Sequence, residues 1–234
     1  MKDYSILVHN ILNMFINFLY LLFLFGLVIC IAEFANNFTH FSPFIVRKIA
    51  HIFCGLVFAS IPIYLNEVYA LLICIVLVFI VIASWYIRIF NKLENTHKHN
   101  YGTIFFPLGF ILPIILFWKI NPYIISVSAL ILGFSDALAA LIGKRFGKLK
   151  YKFIETKTVE GSITFFILSL VIFIISFSIF SKLFIDISII RILIFSIGAL
   201  ILSIIEGLSA KGTDNFFIPL ASSITIYIAM YIVI

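Results

Sequence analysis

Apolar residues fill this chain in long blocks, separated by short polar stretches. The blocks lack the two-residue alternation of a barrel strand. Backbone that faces lipid must satisfy its own hydrogen bonds, so the pattern predicts helices. Eight spans follow, at approximately 12–33, 45–64, 67–88, 103–118, 122–143, 162–181, 189–208 and 215–233, each near the ~20 residues that a bilayer core requires. Turn signals separate them at Asn36-Asn37, Ser42-Pro43, Asn66, Asn91 to Asn100, Asn121-Pro122 and Lys211-Gly212. The span 103–118 is short and holds Pro107, Gly109 and Pro113, which predicts a broken or re-entrant element. The expected fold is all-α: a polytopic transmembrane helix bundle of about eight spans (seven to nine), forming one integral-membrane domain over residues 1–234.

Composition agrees. Of 234 residues, 64% are hydrophobic and 11% charged, where a soluble domain carries about 25% charged residues. No room is left for a separate soluble domain. The net charge of +6 does not point to nucleic acid, because the basic residues sit in short loops between spans. Cys30, Cys54 and Cys74 fall within apolar runs without a CxxC, so neither disulfides nor a zinc site is indicated. The first span has one lysine before it and no small-residue cleavage site after it, and reads as a retained helix.

The basic residues also set an orientation. The loops 34–50, 88–102, 143–161 and 209–214 carry twelve lysines and arginines, among them Arg47, Lys48, Arg88, Lys92, Lys98 and Lys211. The opposite side has four: Lys2, Lys119, Lys182 and Arg191. The positive-inside rule places the first set in the cytoplasm and both termini outside. Asp136, Glu160, Glu206 and Asp214 lie at span ends on that same side. This predicts one cytoplasmic-facing site assembled from several loops.

The richest stretch runs from Gly133 to Ser162. Asp136 lies within an apolar run, where a carboxylate costs roughly 2.5–3.5 kcal/mol on insertion scales and so marks a functional candidate. It needs a lysine, an arginine or a metal ion as partner, and carboxylates with phosphate oxygens are the usual way to hold Mg²⁺. Gly133, Asp136, Ala140, Gly143 and Gly147 recur at helical steps, a stripe that lets backbones approach. Six cations follow: Lys144, Arg145, Lys148, Lys150, Lys152 and Lys157. The segment Lys157-Thr158-Val159-Glu160-Gly161-Ser162 then opens the sixth span, where free N–H groups offer a seat for phosphate. Thr158 also suits a plain N-cap with Glu160 favouring the helix dipole. No GxxxxGK[ST] occurs.

Two further segments carry polar residues at span ends. Arg47, His51 and Gly55 are four apart on one helical face, with Lys48 beside them. Glu206 lies inside the end of the seventh span, with Lys211 or a metal at Asp136 as its candidate partners, and Asp214 suits an N-cap. Tyr101-Gly102-Thr103 reads as a turn with an interfacial tyrosine. His97 and His99 sit in a polar loop, while Glu33, Glu67 and Asp186 look interfacial and receive no role.

Together RKIAHIFCG (47–55), SDALAALIGKRFGK…ETKTVEGS (135–162) and EGLSAKGTDNFFIP (206–219) resemble the CTP-dependent lipid-alcohol kinases, a family that includes dolichol kinase, phytol kinase and the yeast-type diacylglycerol kinase. YGTIFFP (101–107) resembles the corresponding stretch of phytol kinases. Where that family commonly has Gly-Asp, this chain has Ser135-Asp136. The resemblance implies transfer of the terminal phosphate of CTP to the hydroxyl of a membrane-embedded isoprenoid alcohol or diacylglycerol, a reaction that rests on positioning and charge neutralisation. It assigns Mg²⁺ to Asp136 with Glu160 or Asp214, and Glu206 nearby. The triphosphate falls to Lys48, Lys144, Lys148, Lys157, Thr158, Gly161, Ser162 and Lys211. Arg47 and His51 orient the phosphoryl group or take the hydroxyl proton.

Two other functions compete. The Ser-Asp…FGK…KTVEG stretch also resembles phosphatidate cytidylyltransferase. That family's C-terminal signature has a Pro-Gly-His-Gly-Gly run ending in Asp-Arg, and this chain has no histidine or arginine after Arg191. A transporter or scaffold with buried acids along an ion path would need no basic cluster beside the acid, and no inverted repeat is evident.

Overall fold

A computed structural model of the chain describes residues 2–87, 101–180 and 188–231. Arg88, Lys92, His97, Lys98, His99, Lys182, Asp186 and the turn signal from Asn91 to Asn100 lie outside the described residues. The helices are α1 (Lys2–Phe38), α2 (Pro43–Tyr64), α3 (Glu67–Ile87), α4 (Gly102–Phe117), α5 (Tyr123–Phe146), α6 (Val159–Phe180), α7 (Ile189–Leu208) and α8 (Asp214–Tyr231). A hairpin, β1 (Lys150–Lys152) and β2 (Thr156–Thr158), joins α5 to α6.

The all-α membrane bundle is the observed fold, with two corrections. Among the described residues six helices (α1, α2, α3, α5, α6 and α7) are long and apolar enough to cross a membrane, fewer than the eight spans expected. α4 has 16 residues, about 24 Å of helix against the ~30 Å of a hydrocarbon core. α8 has 18 residues and also falls outside the six. The second correction concerns α4, which is not broken. Pro107 and Pro113 both lie inside a continuous helix and are buried. Neighbouring helices compensate for the backbone hydrogen bonds that proline removes. α3 packs along one side of α4 and α8 along another. A side chain at Gly109 would run into the Asn215 carbonyl of α8, so glycine here permits that approach.

α5 is the centre of the bundle: 72% of its central stretch is buried, against 11% to 28% in the other five spanning helices. Midway, Ile131–Asp136 form a π turn. Such turns widen a helix locally and occur often at functional sites. Gly133, within that turn, faces Gly55 of α2, where an added Cβ on Gly55 would come 2.7 Å from the Gly133 Cα. The glycine face expected on α2 and the small-residue stripe expected on α5 therefore meet. The core is aromatic, with Phe58, Phe110, Phe165, Phe173 and Phe195 fully buried. Outward-facing positions are also apolar, as at Phe23, Phe79 and Ile197, which suits a lipid-facing surface. The antiparallel hairpin pairs Lys150 with Thr158 and Lys152 with Thr156, the one strand element among the described residues.

Candidate active site

One end of the bundle holds a cavity of about 710 Å³. Residues at the starts of α2, α4, α6 and α8, at the ends of α3, α5 and α7, and in the hairpin all border it. Of the residues singled out in the sequence, it gathers Arg47, Lys48, His51, Asp136, Lys144, Lys157, Thr158, Gly161, Ser162, Glu206 and Asp214. These come from segments as far apart as α2 and α8, so the fold brings the three resembling stretches together.

Asp136 closes the π turn and is 3% exposed. Its partner is Lys48, whose Nζ donates to Asp136 Oδ2 at 2.7 Å. His51, one turn further along α2, places Nε2 3.4 Å from the same oxygen. That nitrogen has no hydrogen-bond partner, and the ring meets the edge of Phe106 at 5.1 Å. A buried acid with a lysine partner meets the requirement that intramembrane charge be paired.

A second pair lies across the cavity. Lys157 of β2 donates to both the side chain and the backbone carbonyl of Glu206, at the end of α7. Burial works against the Lys157 charge, but Glu206, with Asp214 and Asp136 behind it, outweighs burial and holds the ammonium above the ordinary lysine range. Asp214 opens α8, and its Oδ1 accepts from the Asn215 amide at 3.0 Å. Burial, with the Asp136 charge next, pushes the Asp214 carboxyl up to about 6.

The phosphate seat expected at the start of α6 is only partly available. Thr158 Oγ1 accepts from the Gly161 amide at 3.2 Å, so the threonine is a cap and that amide is committed. Ser162 Oγ shares a hydrogen bond with Tyr151 Oη at 2.5 Å. Gly161 has a packing role as well: an added Cβ on Gly143 would lie 3.4 Å from the Gly161 Cα. Lys144 lies over the Phe44 ring, 4.2 Å from its centroid, at the cavity border.

Glu160, Lys148 and Lys211 do not border the cavity. Glu160 Oε1 accepts from the backbone amides of Lys148 at 2.8 Å and Leu149 at 3.2 Å, which fastens the turn from α5 into the hairpin. Lys211 has φ 54° in the turn before α8. Its amide donates to Glu155 Oε1 at 3.0 Å, and its carbonyl accepts from the Tyr101 amide at 2.9 Å. It does not reach Glu206, whose partner is Lys157.

Four acids do not converge as a metal cage. Among the described residues no three His, Cys, Asp or Glu side chains cluster as metal ligands. Asp136 and Asp214 nonetheless border the same cavity and feel each other's charge. That donor set fits Mg²⁺, which is commonly held by one or two carboxylates together with substrate phosphates and waters.

Sequence reasoning passed over several contributors. Asn215 Nδ2 donates to the Gly102 carbonyl at 2.8 Å, tying α8 to α4. Tyr151 and Glu155 act through the hairpin, whose alternating Lys-Tyr-Lys and Thr-Lys-Thr runs were the available signal. Much of the remaining lining is hydrocarbon, with Phe25, Ile29 and Ala32 of α1, Leu77, Ile80 and Val81 of α3, and Phe106 of α4, alongside the hydroxyls of Ser84 and Thr103.

Neither a family model nor a solved structure matches the chain. Over 214 residues, 88% of each chain, it is 27% identical to a protein named phytol kinase from Synechocystis sp. (strain PCC 6803).

Proposed function

We propose that this chain is a lipid-alcohol kinase that transfers the terminal phosphate of CTP to the hydroxyl of an isoprenoid-type alcohol, with diacylglycerol the other acceptor class. The observation that carries the reading is a single cavity with two characters. Lys48, Asp136, Lys157 and Asp214 line its charged end, and mostly hydrocarbon from α1, α3 and α4 lines the opposite part. A reaction that joins a nucleoside triphosphate to a lipid needs both. The likeness to a phytol kinase supports the same reading.

Phosphoryl transfer depends on positioning and on neutralising charge that spreads over the phosphate oxygens. Lys48, Arg47, Lys144 and Lys157 supply positive charge around the cavity. Asp136 and Asp214 would hold Mg²⁺, which would supply neutralisation of phosphate charge. His51 Nε2, unpartnered and beside Asp136, would accept the hydroxyl proton. Lys48 neutralises Asp136 in the absence of nucleotide and offers its ammonium to phosphate when nucleotide enters. The lysine-rich loops would put this end of the bundle in the cytoplasm.

Purified protein in detergent, given γ-labelled or α-labelled CTP with prenols and diacylglycerol, tests the proposal. Passage of the γ label to the alcohol is expected. Incorporation of the α label into lipid would instead identify a cytidylyltransferase. Transfer from ATP at equal efficiency would remove CTP as the donor.

A further inference from the structure

The hydrocarbon arm of the cavity has one closed wall and one loose one. On the closed side Phe58 is fully buried, its ring 6.0 Å from Phe25 and 5.8 Å from Phe106. The other side is made by α1 and α3. These helices run in the same direction, because α2 reverses the chain between them. Phe18 and Tyr69 bring them into contact, ring centroids 5.7 Å apart. Eleven residues further along each helix (Phe18 to Ile29, Tyr69 to Ile80) both side chains border the cavity. That level is about 16 Å along the axis from the contact. α3 takes its main packing from α4 and little from α1 or α2. Ile80 borders the cavity and is still 44% exposed.

We infer that the seam between α1 and α3, flanked by Ile29 and Ile80, is a lateral portal for the acyclic hydrocarbon tail of a lipid. The lipid's polar end lies at Lys48 and Asp136 and its tail passes out into the bilayer. This rests on the lipid-alcohol reading for the identity of the polar end. Apart from the hydroxyls of Ser84 and Thr103, the lining of the arm from α1, α3 and α4 is hydrocarbon, without a charged side chain for a second phosphate. It matches a tail, which exchanges bilayer for helix surface at small cost, since lipid chains are as apolar as leucine. Weak net attraction suits a substrate whose product must leave.

The portal has a consequence for selectivity. A blind pocket measures the length of a tail by where it ends. A seam open to lipid reads the first few carbons beyond the hydroxyl and leaves the remainder unmeasured. Ile29, Ala32, Leu77 and Ile80 are therefore the specificity-determining positions, acting on the shape of the first units. Total chain length has little influence once the arm is filled.

The test uses the full chain in lipid nanodiscs with a C20 prenol carrying a diazirine within the first few carbons beyond the hydroxyl. After photolysis, label is expected on residues 25–32 and 77–84 and is competed by unlabelled prenol. Ile80→Trp should cut that labelling at least fivefold, whereas Ile80→Ala should keep it at or above the wild-type level. Equal labelling of the outer faces of α6 and α7, or an Ile80→Trp variant labelled like wild type, overturns the portal. Phosphate transfer is measured on the same samples. Correct labelling without transfer from any nucleotide upholds the portal and removes the kinase reading; transfer with label elsewhere does the reverse.

Discussion

Lys48 and Asp136 stand 88 positions apart in the chain and 2.7 Å apart in the fold. Asp136 is buried and Lys48 half-buried in an apolar bundle, and each makes the other tolerable. Removing one partner of such a pair strands a charge, at about 3–5 kcal/mol, while replacing both with apolar groups is often close to neutral. Lys48→Met and Asp136→Leu should therefore each lower stability by about that amount. The double variant should be more stable than either single one. Thermal unfolding in detergent measures this, and a double variant as unstable as the sum of the singles would show that the pair is not coupled.

The milder Asp136→Asn keeps the shape and removes the charge. It should insert and fold yet lose at least a thousandfold in turnover, since neither a metal nor His51 would retain its anionic neighbour. Near-normal turnover in a folded Asp136→Asn variant would falsify the role given to this acid.

The lysines divide by position. Lys157 borders the cavity, and Lys148 and Lys211 do not. Lys157→Ala should weaken nucleotide binding tenfold or more, equivalent to about 1.4 kcal/mol. Lys148→Ala and Lys211→Ala should stay within about twofold, below 0.5 kcal/mol. Titration calorimetry with CTP and Mg²⁺ separates the two groups, and equal losses for all three would argue for diffuse surface charge.

Divalent-cation binding should depend on pH through Asp214. Its carboxyl is pushed up to about 6 from the ordinary carboxylate range, so the folded protein holds the proton more tightly than the unfolded chain. Stability contributed by that proton is present at low pH and declines as pH rises from about 4 to about 6. Cation binding runs the opposite way and strengthens as the proton leaves. Mn²⁺ affinity, read by electron paramagnetic resonance, should rise between pH 5 and pH 7, and Asp214→Asn should flatten that rise. An unchanged slope in the variant would move the titration to another group.

The approach of α2 to α5 is tight enough to test by one methyl group. Gly55→Ala would set a carbon 2.7 Å from the Gly133 backbone, with no flexible side chain to yield. Overpacking of this kind costs about 1–3 kcal/mol, and the shift should also loosen Lys48 from Asp136. A lower unfolding temperature together with reduced nucleotide affinity is expected. Gly26→Ala, with open space around it, should change neither.

Much of this was legible before any coordinates. Apolar blocks place helices in a membrane protein because lipid leaves backbone no other partner. Asp136 stood out because its burial costs energy that packing alone cannot repay. Gly55 and the stripe through Gly133 announced a close helix pair, which formed. The pattern could not say which polar groups would be spent on the fold itself. Glu160 and Thr158 have the chemistry of site residues, but one holds a turn and the other caps a helix. Those choices depend on where the hairpin lies, and its three-residue strands are too short to register as a period. Hydropathy likewise marked α4 as apolar without revealing that α3 and α8 flank it.

The wide turn at Ile131–Asp136 makes the central helix sensitive to counting. Each residue in a regular helix advances the azimuth by about 100° and the height by about 1.5 Å. The π turn already takes up one extra residue, so a second one inserted between Leu130 and Ala137 would swing the whole upper half of the rod, turning the acid away from its lysine and the upper glycines away from α6. Substitutions there can be absorbed locally, but a second extra residue cannot. Inserting an alanine after Phe134 should thus silence the protein more completely than changing Phe134 to alanine.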